Sequence, residues 1–289
     1  AKYGPVSPFT DKISEKDLKN MNPNKLVDQI KAITAYPHRI FYYGQKPADV
    51  VAALLDKHHK VPDPMKEYPP ATKFKELDTK SNKVYFVHYD MVQAQVQMLS
   101  KDELNNNNLL APARLFNEYF GSGLSSIVFQ EIRETRALAY GAGAAFTTPT
   151  NKDEAHYVRA SVSTQADKMN MAIEAMQEIM NDMPRADKQF EQSKEAVRKQ
   201  IESERITRSG IFWNYESLQR RGIDYDIRKD IYNQVQQMNL DDMEKFFNTH
   251  IADRNYTILV MGDRNKIDIN FLKSLGEFKE LTLEEIFGY

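Results

Sequence analysis

The clearest pattern along the chain is a strict alternation of apolar and polar residues between positions 92 and 98. Three glutamines, Gln93, Gln95 and Gln97, separate the apolar residues on either side. A period of two places every second side chain on the same face of a β-strand, so this strand is predicted to have one buried and one polar face. The apolar members are Val92, Ala94, Val96 and Met98.

Two neighbouring segments are also predicted to be strands. Residues 84–87 are β-branched and aromatic, and residues 158–162 alternate like 92–98. Thr164 with Asp167 three positions later resembles the capping box that begins a helix. The helix that follows has an apolar stripe rich in methionine, which is more often core than a binding groove. The stripe consists of Met169, Ala172, Met176, Ile179 and Met183.

Other periodic segments predict further helices at 109–120, at 187–207 and between Gly210 and Gly222. The last of these holds Trp213, whose ring is expected to pack against the sheet. Near the N-terminus, Leu26, Ile30 and Ile33 form a helical stripe, 39–44 is predicted to be a strand, and 50–55 a helix. Residues 61–70 hold four prolines and predict an extended linker.

Parts of the N-terminal region recur near the C-terminus. Residues 26–30 correspond to 243–247, residues 40–44 to 258–262, and residues 74–77 to 278–281. Each copy has the order helix, strand, glycine turn, helix and extended end, which favours a duplicated structural unit.

The stretch 119–146 combines a turn, a helix and a strand. Gly121, Ser122 and Gly123 form the turn, and a helix is predicted to begin at Ser125 or Ser126, either of which can cap it. Its apolar stripe is Leu124, Val128 and Ile132, spaced four apart. Residues 139–146 are predicted to form a strand whose small side chains allow another backbone to approach closely.

Two hydrogen-bond donors lie on either side of the predicted helix-to-strand turn. Arg133 and Tyr140 are seven positions apart, and both can donate to an oxygen that carries negative charge. A purely structural role for the two residues competes with this functional interpretation. An arginine at a helix C-terminus interacts favourably with the helix dipole, and a tyrosine at a strand end is ordinary packing.

Composition and charge exclude several functions. The 289 residues carry a net charge of −2 with no basic run, so nucleic-acid binding has little support. No apolar run is long enough to span a bilayer. The lack of cysteine excludes disulfides and thiolate chemistry but leaves both a periplasmic and a cytoplasmic location open. His58 and His59 are adjacent and cannot both face one metal from a helix, His88 is at best a weak ligand, and no phosphate-binding loop is present.

The motif FGSGLSS followed by VFQEIRETRALAY resembles the signature of the non-catalytic half of the pitrilysin/insulinase family of zinc metallopeptidases, the inverzincins. The resemblance is specific here and extends more loosely over residues 83–289. The matching residues are Ser126, Val128, Phe129, Ile132, Arg133, Glu134, Leu138, Ala139 and Tyr140.

The resemblance implies an α+β fold with a mostly antiparallel sheet and helices packed on one face, the LuxS/processing-peptidase-like metallohydrolase fold of a duplicated-domain family. Residues 1–72 would then be the C-terminal part of a preceding family domain plus the proline-rich linker. Residues 73–289 would be a complete zinc-free C-terminal domain. The parent protein is therefore expected to extend upstream.

The resemblance also implies a supporting role in peptide hydrolysis. None of the six histidines lies in the family's His-x-x-Glu-His zinc motif, so no metal or cofactor is expected in this chain and zinc is expected in a partner half, whether upstream or a separate subunit. Arg133 and Tyr140 match the two positions that contact the substrate carbonyl or the oxyanion. Gly121, Ser122 and Gly123 lie where relatives carry a longer glycine-rich loop that contacts peptide substrate. The alternative is an inactive scaffold or binding module of the same family.

Overall fold

The computed structural model describes residues 2–287 and divides into two units. The larger unit comprises Ala1–Gly4, Glu76–Arg205 and Asn214–Tyr289. The smaller unit comprises Pro5–Lys75 and Ile206–Trp213. Within residues 2–287, no helix combines the length and the apolar character needed to cross a membrane.

In its segment Pro5–Lys75, the smaller unit contains three short α-helices, α1 (Glu15–Asn20), α2 (Pro23–Ala32) and α3 (Ala48–His58). Side chains cap the first two: the hydroxyl of Ser14 accepts a hydrogen bond from the backbone of Asp17, and the amide oxygen of Asn22 accepts one from Asn24. In the described part of this unit, no hydrophobic residue is buried. Its helices therefore have amphipathic sequences but no core of their own.

The predicted strand at 39–44 is wrong. These residues have no regular secondary structure, and Ile40, Phe41, Tyr42 and Tyr43 are exposed. A strand requires a neighbour to accept and donate its backbone hydrogen bonds. The described residues of the smaller unit include no other strand, so the β-forming sequence has nothing to pair with.

The larger unit is built on one mixed six-stranded sheet, whose strands are β1 (Lys83–His88), β2 (Gln93–Leu104), β3 (Gly141–Thr147), β4 (Ala155–Gln165), β5 (Thr257–Gly262) and β6 (Glu277–Leu281). Three of the five strand pairings are antiparallel (β3–β4, β4–β2 and β2–β5) and two are parallel (β5–β1 and β1–β6). The spatial order is β3-β4-β2-β5-β1-β6, so β1 and β5 lie inside the sheet, where they pair in parallel.

Most of the remaining helices, together with the sheet, bury one continuous core, whereas the last helix of the chain has no buried residue. Two segments are π-helical, Asn117–Gly121 and Phe129–Thr135. The helices are α4 (Leu110–Phe116), α5 (Met169–Asn181), α6 (Asp187–Ser203), α7 (Gly210–Arg220), α8 (Arg228–Gln237), α9 (Leu240–His250), α10 (Ile269–Ser274) and α11 (Leu283–Phe287).

The alternation in β2 and β4 produces the predicted two-faced sheet. Ala94, Val96 and Met98 are buried, whereas the glutamines between them are partly or fully exposed. In β4, Val158, Ala160 and Val162 are likewise buried. Val92 lies before β2 and is exposed, so only its successors belong to the buried face. The α+β fold with a mostly antiparallel sheet is confirmed.

The methionine-rich helix is also confirmed as core, because Met169, Ala172, Met176, Ile179 and Met183 are all buried. The capping box predicted at Thr164 is wrong. Thr164 belongs to β4, and its hydroxyl donates to the carbonyl oxygen of Leu138. A 3₁₀ turn, Ala166–Lys168, then leads into α5, and no side chain caps it.

Two other sequence interpretations need correction. Trp213 does not pack as expected, since 68% of it is exposed. The internal repeat holds only in part: residues 26–30 and 243–247 both lie in helices, and 258–262 lie in β5. Residues 40–44 and 74–77, however, are not strands, in contrast to their counterparts in β5 and β6.

Candidate functional site

The helix predicted after the Gly/Ser turn begins with Ser126 as its cap. The Ser126 hydroxyl donates to the carbonyl oxygen of Gly123 over 2.9 Å and accepts a hydrogen bond from the backbone of Phe129 at 3.4 Å. Val128 and Ile132 are fully buried, as predicted. Leu124 was expected on the same stripe, but it precedes the cap and is 72% exposed, so that assignment is wrong.

Most of this helix is π-helical, from Phe129 to Thr135. It packs against β3 and α5. Single π-helical turns within helices are uncommon and are frequent at functional sites. The backbone N–H of Leu138 donates to the carbonyl oxygen of Ile132 over 3.0 Å, which closes the C-terminal end.

Arg133 lies on the exposed side of this π-helical turn. Its guanidinium carbon is 4.9 Å from the centre of the Phe129 ring, and its Nε is 3.5 Å from Oε1 of Glu134. A cation over an aromatic face is attracted by the ring's negative face, so Phe129 restrains the orientation of Arg133. Within residues 2–287, the guanidinium makes no hydrogen bond, and its terminal nitrogens remain available as donors.

A tight connection joins Arg133 to Tyr140. Ala137 has a left-handed backbone with φ of 50°, a conformation that a residue with a side chain rarely adopts. Lys168 Nζ donates to the carbonyl oxygen of Ala137 over 3.1 Å, and the Thr164 hydroxyl donates to that of Leu138. Residues of β4 and of the turn that follows it therefore hold this connection in place.

Tyr140 lies just before β3 and is half exposed. Its backbone N–H donates to the carbonyl oxygen of Ser163 over 2.8 Å, and its hydroxyl accepts a hydrogen bond from Gln165 Nε2 at 3.1 Å. In the described residues no hydrogen bond joins Arg133 to Tyr140. The structure therefore presents both donors at the surface but does not bring them into contact.

The Gly/Ser turn is anchored on β3. The carbonyl oxygen of Ala144 lies 1.8 Å from the position that a Cβ on Gly121 would occupy. Asn117, one turn earlier, donates from Nδ2 to the carbonyl oxygen of Phe146 and accepts from its N–H. The small residues predicted to admit a close backbone approach therefore do so. Gly123 has φ of +88° and open space around it.

A cavity of about 230 Å³ opens beside this turn. It includes two of the three predicted substrate-contacting residues, Gly121 and Ser122. The other lining residues come from β2, β3 and β4: Gln97, Gly143, Ala144, Ala145, Arg159, Ala160 and Ser161. Sequence reasoning did not single out Arg159 or Gln165, although the alternation in β4 places both on the polar face.

A second polar cluster consists of Asp102, His250 and Arg254. His250 Nδ1 donates to Asp102 Oδ2 over 2.8 Å, and Arg254 Nη1 lies 2.8 Å from Oδ1 of the same carboxylate. Burial alone would raise the pKa of Asp102, but the hydrogen bond from His250 and the positive charge of Arg254 outweigh it and lower that pKa. Across residues 2–287, no group of three or more His, Asp or Glu residues could hold a metal ion.

Comparison with known proteins identifies the family. The family model described as the Peptidase M16 inactive domain matches residues 39–197, more than half of the chain. The matched segment therefore identifies the class of the chain, which is the inactive domain of a peptidase family. The chain belongs to the M16 peptidase family and corresponds to its zinc-free C-terminal half, so the resemblance seen in the sequence is confirmed. No curated protein matches the chain.

Solved structures share the fold at low sequence identity. A peptidase M16 inactive domain from Pseudomonas fluorescens is 15% identical with a TM-score of 0.59, over 76% of this chain and 51% of its own length. A protease from Helicobacter pylori is 15% identical with a TM-score of 0.62, over 86% and 61%. A conserved protein from Enterococcus faecalis V583 is 12% identical with a TM-score of 0.60, over 78% and 51%. The chain therefore spans between half and about three-fifths of the length of these proteins.

Proposed function

We propose that this chain is the C-terminal half of a zinc metalloendopeptidase and supplies substrate-binding and oxyanion-stabilising groups to a zinc-binding partner half. The supporting observation is that Arg133 and Tyr140 are both exposed donors on a restrained connection. Arg133 is held over Phe129, and the backbone of Tyr140 is tied to β4.

The chemistry assigned to the two residues is electrostatic. Attack of water on a peptide carbonyl places negative charge on its oxygen, and prearranged donors in a site shielded from water stabilise that charge. The guanidinium contributes a fixed positive fork and the phenol a neutral O–H donor. The metal, when bound by the partner half, would supply the activated water, and this chain's residues would hold and orient the substrate.

The partner half is proposed to pack on residues 1–72, the end of a preceding family domain. The supporting observation is that no hydrophobic residue of Pro5–Lys75 is buried among the described residues. Exposed apolar side chains on all three short helices, such as Leu18, Ile30 and Leu54, are costly in water without a covering surface. Covering them with the rest of a domain would remove that cost.

The decisive experiment measures cleavage of a peptide by this chain together with its zinc half. Tyr140→Phe removes one hydroxyl and keeps the ring, and kcat should fall by about 10²–10³ with KM little changed. Arg133→Lys keeps the positive charge but loses the planar guanidinium with its fixed N–H donors, so kcat should also fall. Zinc content should be the same in all variants, because neither residue is proposed as a ligand.

Tyr225→Phe provides a matched control. Tyr225 and Tyr140 are equally exposed, at 53% each, but the Tyr225 hydroxyl bonds Asp230. This variant should cleave at the parent rate. If Tyr140→Phe and Arg133→Lys, each shown to be folded, also cleave at the parent rate, the catalytic assignment is wrong. The isolated chain should neither bind stoichiometric zinc nor cleave peptides.

A scaffold without catalytic residues is the second candidate. The observation that favours it is the contact of Arg133 with Phe129 and Glu134, which is a complete structural role for a charge at a helix end. Parent-rate cleavage by both variants, or the absence of any cleavage with the zinc half present, would support this candidate.

A further inference from the structure

In the larger unit, one face of the sheet along β3, β4 and β2 carries residues that are partly or fully exposed. Burial in β4 alternates, so Arg159, Ser161 and Ser163 are more exposed while the residues between them are buried. The pairing register aligns these residues in rows across the sheet. Arg159 lies opposite Ala145 of β3 and Leu99 of β2.

The next row contains still smaller residues at the edge of the sheet. Ser161 lies opposite Gly143 of β3 and Gln97 of β2. Because Gly143 has no side chain and Ala145 has only a methyl group, this face is shallow at β3. The cavity of about 230 Å³ lies there, with Gly121 and Ser122 beside it.

Arg159 is a charged residue of this cavity that no carboxylate neutralises. Among the described residues, its guanidinium makes no hydrogen bond or ion pair, and no aspartate or glutamate lines the cavity. Three other surface arginines are paired with carboxylates: Arg136 with Glu178, Arg185 with Asp241, and Arg228 with Asp226. The cavity thus offers the unpaired guanidinium of Arg159 next to the neutral donors and acceptors of Gln97, Ser122 and Ser161.

The distance from Arg159 to the proposed oxyanion site can be counted along β4. Gln165, which bonds the Tyr140 hydroxyl, is six positions from Arg159. A strand rises about 3.4 Å per residue, so the two positions are about 20 Å apart. An extended peptide of about six residues spans the same length.

We infer that Arg159 binds a carboxylate of the peptide substrate, about six residues from the bond that Tyr140 faces. A guanidinium fork matches a carboxylate with two parallel hydrogen bonds, which gives both charge and geometric selectivity. The carboxylate belongs to an aspartate or glutamate side chain or to the peptide's C-terminus. This inference depends on the proposed function in one respect, namely that a peptide lies along the open sheet face.

The test is equilibrium binding of fluorescent twelve-residue peptides to the full chain, followed by fluorescence anisotropy. Three peptides share one neutral sequence and differ only in their carboxylates. The first carries a single glutamate and an amidated C-terminus, and the second has glutamine in place of that glutamate and a free C-terminal carboxylate. The third has the glutamine and the amidated C-terminus, and so has neither carboxylate. The parent chain should bind at least one of the two carboxylate peptides roughly tenfold more tightly than the neutral peptide. Which of the two is preferred identifies the source of the carboxylate.

Arg159→Ala should remove this preference and leave binding of the neutral peptide unchanged. Arg159→Lys should retain part of it, because it keeps the charge but not the fork. Arg220→Ala, at an exposed arginine at the end of α7, is the matched control and should retain the full preference. Circular dichroism and melting temperature should be unchanged in all three variants.

Three outcomes would overturn the inference: no peptide binds, the three peptides bind alike, or Arg159→Ala retains the preference. Its failure is distinguishable from failure of the proposed function, because binding is measured without the zinc half. If Arg159 selects carboxylate peptides but Tyr140→Phe cleaves at the parent rate, only the catalytic role is wrong. If Tyr140→Phe is slow but Arg159→Ala binds like the parent, only the carboxylate assignment is wrong.

Discussion

The carbonyl oxygen of Ala144 occupies the space that a side chain on Gly121 would need. An ideal Cβ on Gly121 would be 1.8 Å from that oxygen and 2.6 Å from the carbonyl carbon. Both distances are far below van der Waals contact, and the atoms belong to backbone that cannot move independently of β3. The glycine at this position is therefore required by packing, whether or not the turn contacts substrate.

Gly121→Ala should destabilise the larger unit by about 1–3 kcal/mol, the usual cost of overpacking, because the turn or β3 must shift. Gly141→Ala is the control, since a Cβ there would meet no atom within 4 Å. That variant should be neutral or more stable by about 0.4–1 kcal/mol, because alanine reduces the entropy of the unfolded chain. Urea unfolding of both variants checks this. Equal stabilities would contradict the close contact at Gly121.

The start of the helix that Ser126 caps predicts a strong asymmetry between two hydrophobic residues four positions apart. Val128 is fully buried and Leu124 is exposed. Val128→Asp should unfold the larger unit, because an unpaired buried carboxylate costs several kcal/mol, a large part of a domain's stability. Leu124→Asp should change stability by less than about 0.5 kcal/mol. Thermal unfolding measures both variants. If they have the same melting temperature, the assignment of Val128 to the buried face is wrong.

The cluster of Asp102, His250 and Arg254 predicts an acid-sensitive contribution to stability. The pKa of Asp102 is lowered in the folded state, despite its burial, by the His250 hydrogen bond and the charge of Arg254. A carboxyl group with a lowered folded pKa stabilises the fold above its unfolded pKa, which is about 3.9. That contribution is lost as the pH falls through the folded pKa.

Asp102→Asn should therefore be less stable than the parent at pH 7, by roughly 3–5 kcal/mol, the cost of removing one partner of a buried pair. The difference should narrow as the pH falls below about 4. Asp226→Asn, which disrupts an exposed pair with Arg228, should cost less than about 1 kcal/mol. Urea unfolding from pH 3 to 7 measures both. A constant difference for Asp102→Asn across this range would count against the lowered pKa.

The left-handed backbone of Ala137 predicts a stabilising glycine substitution. The left-handed conformation costs a residue with a side chain about 1–2 kcal/mol, more than the roughly 0.4–1 kcal/mol that glycine loses through unfolded-state entropy. Ala137→Gly should therefore be as stable as the parent or up to about 1 kcal/mol more stable. Ala139→Gly, at a position without positive φ, should be less stable. A lower melting temperature for Ala137→Gly than for Ala139→Gly would refute the assignment of a left-handed backbone to Ala137.

The central elements of the sheet were predictable from sequence because their faces differ. Residues 94–98 and 158–162 alternate between a buried core and an open polar surface, and a period of two identifies a strand wherever that contrast exists. The methionine stripe of α5 was predictable for the equivalent reason with a helical period. The small residues of β3 also indicated a close backbone approach before the structure located it at Gly121.

Local sequence was insufficient where the outcome depended on distant partners. Residues 39–44 have strand-forming composition but lack a partner strand in the described part of their unit. Thr164 matches a helix cap locally, yet its hydroxyl bonds Leu138, 26 positions away. Trp213 is apolar enough for a core, but no core forms around it.

The sequence by itself determined the family and the nature of the candidate donors, because a motif and residue types are properties of the chain alone. It identified Arg133, Tyr140 and the turn at 121–123 as candidates, and these assignments stay predictions. Only the tertiary structure decided what surrounds them. Arg133 lies over Phe129, the Tyr140 hydroxyl bonds Gln165, and Arg159 joins the cavity beside Ser122. Strand register and the space left by absent side chains set these neighbours, and both arise from pairing between segments that are far apart in sequence.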